Sequence, residues 1–186
     1  MTARWPGGAG LAGSARASVR QGEASVPEGV RVVVLAGGVA ATGLVAGLFF
    51  AYACSVMPGL AATDDRTLVG TMQSINRKIV NGWFISVFLG GPVLVAVAVV
   101  GYFGDGGAVL WWLVAALVLH LVTLGVTARC NVPLNDQLDA AGSVDGITDL
   151  AAIRRRFEVP WVRWNLVRTG SSVGAFASMI GALLAR

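Results

Sequence analysis

Charge is scarce in this chain. Asp, Glu, Lys and Arg make up 13% of its 186 residues, against roughly a quarter in a soluble domain. A water-soluble globule is therefore a poor fit. Cysteine is scarce too: Cys54 and Cys130 are the only two. They fall into no paired pattern of a disulfide framework or zinc site, and they read as two small buried thiols that could be neighbours. There is one histidine, His120. Without nearby Asp, Glu or Cys it cannot hold a metal. No catalytic triad, phosphate loop or dinucleotide fingerprint is present. A small transporter or a quinone-binding redox partner is a further reading, but the apolar segments contain no carboxylates, which argues against ion coupling.

What is present is apolar. Hydrophobic residues are 55% of the chain, with 25 Gly and 6 Trp, and the mean hydropathy is +0.71. Both Gly and Trp are common in helical membrane proteins. The net charge of +4 does not indicate nucleic-acid binding, because the basic residues lie in tails and loops around apolar spans rather than along one face.

Residues 1–28 are rich in Gly, Ala, Ser and Arg without periodicity, and read as a disordered tail. They do not read as a signal peptide: the apolar run that follows is too long and lacks a convincing cleavage site. The rest, 29–186, reads as one all-α membrane domain, an antiparallel bundle of four transmembrane helices. The spans are placed at about 30–57, closed by Pro58-Gly59; about 79–103, closed by Gly104-Asp105-Gly106-Gly107; about 108–128; and about 167–184. Each approaches the ~20 apolar residues that cross a ~30 Å hydrocarbon core, and only helices satisfy their backbone there. Gly43, Gly47, Ala51 and Ser55, and likewise Gly170, Gly174, Ser178 and Ala182, recur every four residues as flat stripes for close helix packing. A long loop, 129–166, is expected between the last two spans. It would carry a short helix near 147–157 and an Arg154-Arg155-Arg156 run facing lipid headgroups. The multi-pass chain is placed in a bacterial cell membrane. Its arginines lean toward a cytoplasmic location for the side carrying the 72–78, 130–136 and 161–168 stretches.

Four polar stretches fall together at that side: 72-MQSINRK-78, 130-CNVPLND-136, 161-WVRWNLVR-168 and, more weakly, 54-CSVMPG-59. In the first, Gln73, Asn76 and Arg77 share one helix face. Amides are poor solubilisers but directional donors and acceptors. In the second, Pro133 is expected to stop the third span. Asn131 either caps the helix end or serves a site, and Asn135 and Asp136 lie at the rim. In the third, Asn165 and Arg168 share a face, as do Trp161 and Trp164. A charge so close to an apolar span faces inward toward a partner or substrate, and Asp136 or Asp65 is the expected carboxylate. His120 lies deep in the third span, as a hydrogen-bonded core residue or at most the floor of a pocket. The 54–59 stretch ranks lowest, as a helix end.

The segments GLVAGLFFAYACSVMPGL, TMQSINRKIVNGWF, GVTARCNVPLNDQLDA and WVRWNLVRTGSS, in this order, resemble the small four-helix membrane proteins of the anthrone oxygenase-like family. The resemblance covers about residues 43–172. It implies oxidation of a polyketide-derived anthrone to a quinone without an established metal or flavin, hence no cofactor, with dioxygen as co-substrate. Many members have no assigned activity. Family members often carry His where this chain has Leu166. Such chemistry needs a buried aromatic substrate, stabilisation of its anion and access for oxygen. Trp83, Trp161 and Trp164, with Gln73 and Asn135, would line the substrate. Arg77 and Arg168, with Asn76, Asn131 and Asn165, would favour the anion, and Asp136 is the candidate base, with His120 a distant second. The alternative is a non-catalytic binding or assembly protein whose polar stretches cap and join helices. Oligomeric state is left open.

Overall fold

The computed structural model describes residues 26–186; of the tail expected at 1–28, residues 1–25 lie outside the described residues and Glu28 begins the first helix. Among the described residues five long helices make up the fold: α1 (Glu28–Ala61), α2 (Asp65–Ile79), α3 (Gly82–Tyr102), α4 (Gly107–Ala140) and α5 (Leu150–Leu184). All but α2 are long and apolar enough to cross a membrane, so the architecture is the expected all-α multi-pass bundle. The densest packing joins α4 to α5, α1 to α3 and α1 to α5.

Three of the spans are longer than expected. At ~1.5 Å per residue, the 34 residues of α1 and α4 and the 35 of α5 reach about 50 Å, well beyond a ~30 Å hydrocarbon core. The overhang lies on one side. There the ends of α1 and α4 and the start of α5 pack with α2 around Met57, Leu68, Met72, Leu138, Phe157 and Trp161. Burying Leu68, Val69 and Met72 completely, at ~1.5–3 kcal/mol each, holds the amphipathic α2 on this layer. A second core of Leu35, Val95, Leu113 and Met179 lies deeper in the bundle.

The lengthening overturns three expectations. Pro133 does not stop the third span, and Pro58-Gly59 does not close the first. In both cases the helix widens into a π turn, Tyr52–Val56 in α1 and Thr127–Asn131 in α4. A helical proline lacks an N–H and its ring meets the carbonyl four residues back. Those carbonyls belong to Cys54 and Arg129, each inside one of the π turns, so the widened turn lets the chain continue. Pro92 and Pro160 lie inside helices that carry no such turn. The long 129–166 loop is also absent: only residues 141–149 connect α4 to α5, and the expected short helix is the first part of α5.

Capping defines the other boundaries. Asp64 caps α2, accepting from the Thr67 N–H at 2.9 Å, and Asn81 caps α3 through the Phe84 N–H at 3.1 Å. The second span thus begins at Gly82 rather than 79, with α2 a separate helix. Gly106 and Gly107 have φ of 64° and 75°, a conformation that costs glycine little and permits the tight α3–α4 connection. At that end Arg31 pairs with Asp105, and Arg186 with Glu28. Arg154 does not meet headgroups. It bonds Asp65 and Glu158 and donates to the carbonyls of Ala61 and Thr63, capping α1. The small-residue stripes are used in part: an added Cβ at Gly43 would meet Phe176 and one at Gly174 would meet Leu119, whereas Gly47 and Gly170 have no neighbour within 4 Å.

Candidate functional site

A cavity of about 180 Å³ lies where the bundle meets the overhanging layer, and all five helices line it. α1 contributes Phe49 and Tyr52, α2 Met72 and Asn76, α3 Phe84, α4 Thr127, Asn135 and Asp136, and α5 Trp161 and Arg168. Its apolar edge includes Val80, which is 69% exposed, so the cavity opens outward beside the α2–α3 link. The volume is below the ~300–1,000 Å³ of pockets that enclose a drug-sized molecule. A cavity of this size encloses part of such a molecule rather than the whole.

Arg168 is the dominant feature. It is 6% exposed yet forms no ion pair among the described residues. The expected carboxylate partners do not serve: Asp65 binds Arg154, and Asp136 shares the cavity without bridging to it. Instead the guanidinium lies 4.4 Å from the centroid of the Phe49 ring and 5.2 Å from that of Trp161. Cation–π attraction of this kind partly replaces lost hydration. Nη2 donates to Asn165 Oδ1 at 2.9 Å, and Nε is buried without an acceptor. A desolvated cation with unused donors favours an anion beside it.

The other expected residues divide into two groups. Asn76, Asn135, Asp136 and Trp161 line the same cavity as Arg168. Asn76 Nδ2 is buried without a partner, and Trp161 Nε1 donates to Asn135 Oδ1 at 2.9 Å. Gln73, Asn131 and Asn165 are buried but do not line the cavity. Their amides donate to backbone carbonyls: Gln73 to Leu138 and Gly142, Asn131 to Trp161 at 3.3 Å, and Asn165 to Phe49 at 3.2 Å. Thr169 Oγ1 reaches the same carbonyl at 3.1 Å. Arg77 lies outside the cavity, bonded to Asp139 at 3.2 Å. Trp83 and Trp164, at 87% and 41% exposed, do not line it, and suit the membrane surface better.

Tyr52, Phe49 and Phe84 were not anticipated from sequence. Tyr52 packs on Trp161 with ring centroids 5.6 Å apart, while Phe84 stacks on Phe88, which meets Phe49 edge-on. The available signal was the proline six residues after Tyr52, which marks a widened turn. His120 is not at the cavity floor. Its Nδ1 lies 2.9 Å from the Ala116 carbonyl and its Nε2 3.3 Å from Thr42 Oγ1. Among the described residues no group of His, Cys, Asp and Glu could hold a metal ion. Cys54 is exposed and Cys130 half-buried, contrary to the expected buried pair, and both are free.

A bundle of helices long and apolar enough to cross a membrane, with a desolvated arginine facing a cavity, defines the class: a multi-pass membrane protein with a candidate site at one end. Residues 83–178, slightly more than half of the chain, match the model of the family described as anthrone oxygenase. The chain belongs to that family. The match includes α3, α4 and most of α5, with the 130–136 and 161–168 stretches; the 54–59 and 72–78 stretches lie outside it. No curated protein and no solved structure matches the chain.

Proposed function

We propose that this protein is a membrane-embedded oxygenase, of a bacterial cell membrane, that converts an anthrone or a similar polyketide-derived aromatic to a quinone with dioxygen and no cofactor. The observation that carries this reading is the buried, carboxylate-free Arg168 in an aromatic-walled cavity that also holds an unpaired carboxylate, Asp136. Membership of the anthrone oxygenase family supports it.

The chemistry suits these residues. Asp136 takes a proton from the acidic ring methylene, and the charge delocalises onto the carbonyl oxygen, where Arg168 stabilises it. The carbanion passes one electron to dioxygen, and the resulting pair couples to form a C–O bond. The peroxide anion takes up a proton. Loss of the second methylene proton then breaks the O–O bond, forming the new carbonyl and releasing water. The methylene carbon is oxidised by four electrons: one dioxygen is consumed, and one quinone and one water are formed. The bilayer supplies an apolar substrate and dissolved oxygen.

The test is quinone formation by the purified protein from an anthrone under oxygen, compared with empty detergent or lipid. A rate no greater than autoxidation sinks the proposal. A second reading, a non-catalytic binding or assembly protein, is favoured by Gln73, Asn131 and Asn165, whose amides bind backbone carbonyls as helix-joining groups do. It predicts no stabilisation of the protein by flat aromatic compounds.

A further inference from the structure

The widened turn of α1 has a chemical consequence. It begins at Tyr52, and Tyr52 lines the cavity while its ring lies against Trp161. Trp161 in turn lies 5.2 Å from the Arg168 guanidinium carbon. The indole N–H is already committed to Asn135, so the aromatic wall keeps one free polar tip, the Tyr52 hydroxyl. Arg168 brings further donors, because only Nη2 of its nitrogens is engaged by a protein acceptor. A neutral O–H and a cationic guanidinium on one cavity, flanked by flat rings, form a pair of donors for an oxygen anion carried on an aromatic plane.

We propose that Tyr52 is a catalytic residue that contacts the substrate: its hydroxyl and the Arg168 guanidinium together bind the enolate or phenolate oxygen of a planar aromatic ligand. The inference rests on the site described above and specifies how it recognises the anion. It also explains the placement of the π turn. Without the extra residue in that turn, every side chain upstream of it would rotate relative to those downstream, by roughly the 100° that one residue adds to a helix. Tyr52 and the Met57 anchor of the overhanging layer could not then both face inward.

The experiment uses the full chain in lipid nanodiscs and 1,8-dihydroxyanthraquinone, a flat phenol whose visible absorption changes when it ionises. The bound dye should ionise at least about one pH unit below the dye in empty nanodiscs, a tenfold preference for the anion. Tyr52→Phe keeps the ring packed on Trp161 and should leave the thermal midpoint unchanged. It should still bind the dye but lose half or more of the downward displacement. Full displacement in Tyr52→Phe overturns the inference, as does dye bound to the wild type with no displacement. Anthrone oxidation is measured on the same samples. A Tyr52-dependent displacement without quinone formation supports the anion site and removes the oxygenase; quinone formation with an intact displacement in Tyr52→Phe does the reverse.

Discussion

Replacing Arg168 by Met separates holding the fold together from holding an anion. Met keeps the apolar stem and removes the guanidinium, which is 6% exposed and has no carboxylate partner. Burial of an ion costs several kcal/mol even after relaxation, and the variant no longer bears that cost. Against this, the contacts with Phe49 and Trp161 are lost, at about 1–2 kcal/mol each in a desolvated setting. Asn165 Oδ1 loses its donor, at about 1–3 kcal/mol. These terms oppose one another and are of similar size, so the expected change in unfolding free energy is within about 2 kcal/mol of zero. The effect on chemistry has no such compensation. Removing one donor from a developing oxyanion lowers turnover by on the order of 10²–10³. Both quantities are measured on one preparation: unfolding in detergent followed by tryptophan fluorescence, and quinone absorbance under oxygen. Wild-type turnover in Arg168→Met would refute the reasoning. So would a loss of stability beyond about 4 kcal/mol, which marks a broken structural element.

Other changes test the scaffold. Gly181→Ala places a Cβ 2.7 Å from Trp112 Cδ2, whereas Gly170→Ala meets nothing within 4 Å. The first should lower stability by about 1–3 kcal/mol through overpacking, and the second should raise it by up to ~1 kcal/mol, both read from unfolding midpoints. Gln73→Leu strands the Leu138 and Gly142 carbonyls and should cost about 1–3 kcal/mol; hydrogen exchange should localise the loss to α2 and the end of α4. The Asp64 carboxyl is held below the usual carboxylate range, first by the Thr67 N–H and then by the Thr67 hydroxyl. Its cap is present above the ordinary Asp pKa and is lost as pH falls through the lowered value. Exchange protection of the first turn of α2 should fall over that acid window, and Asp64→Ala should remove the dependence. Trp83→Ala, a change at an exposed ring, should leave anthrone oxidation unaltered.

The four spans and the common side of the polar stretches were legible because long apolar runs leave the backbone one solution in lipid. Helix ends were less legible. Pro58 and Pro133 read as stops because a proline breaks the regular ladder, but a five-residue π turn admits the ring and lets the helix run on. That misreading hid the overhanging layer and with it Tyr52. The amides were misjudged for a different reason. Spacing placed Gln73, Asn131 and Asn165 near a site, but their acceptors are the carbonyls of Leu138, Trp161 and Phe49, on helices far away in sequence. Asn76 and Arg168 differ from them in lining the cavity while leaving polar atoms buried and unpartnered, a combination that only the assembled bundle reveals.

Position 166 bears on the source of the base. The resemblance places a histidine there in many relatives, and this chain has Leu166. Were that position to face the cavity, its leucine would leave the site without a histidine base. Leu166 is 55% exposed and does not line the cavity; it lies beside Asn165 on a turn whose inward positions are Asn165 and Arg168. A histidine there would point outward, where it could contact a lipid headgroup but not the ring methylene of a ligand held against Arg168. The leucine therefore removes nothing from the pocket. Within the cavity, carboxylates come from Asp136 and Asp139, and Asp139 is engaged by Arg77. In the proposed reaction that leaves Asp136 as the base. It lies five residues beyond the π turn that carries α4 past Pro133, the same device that, in α1, begins at Tyr52 on the same cavity.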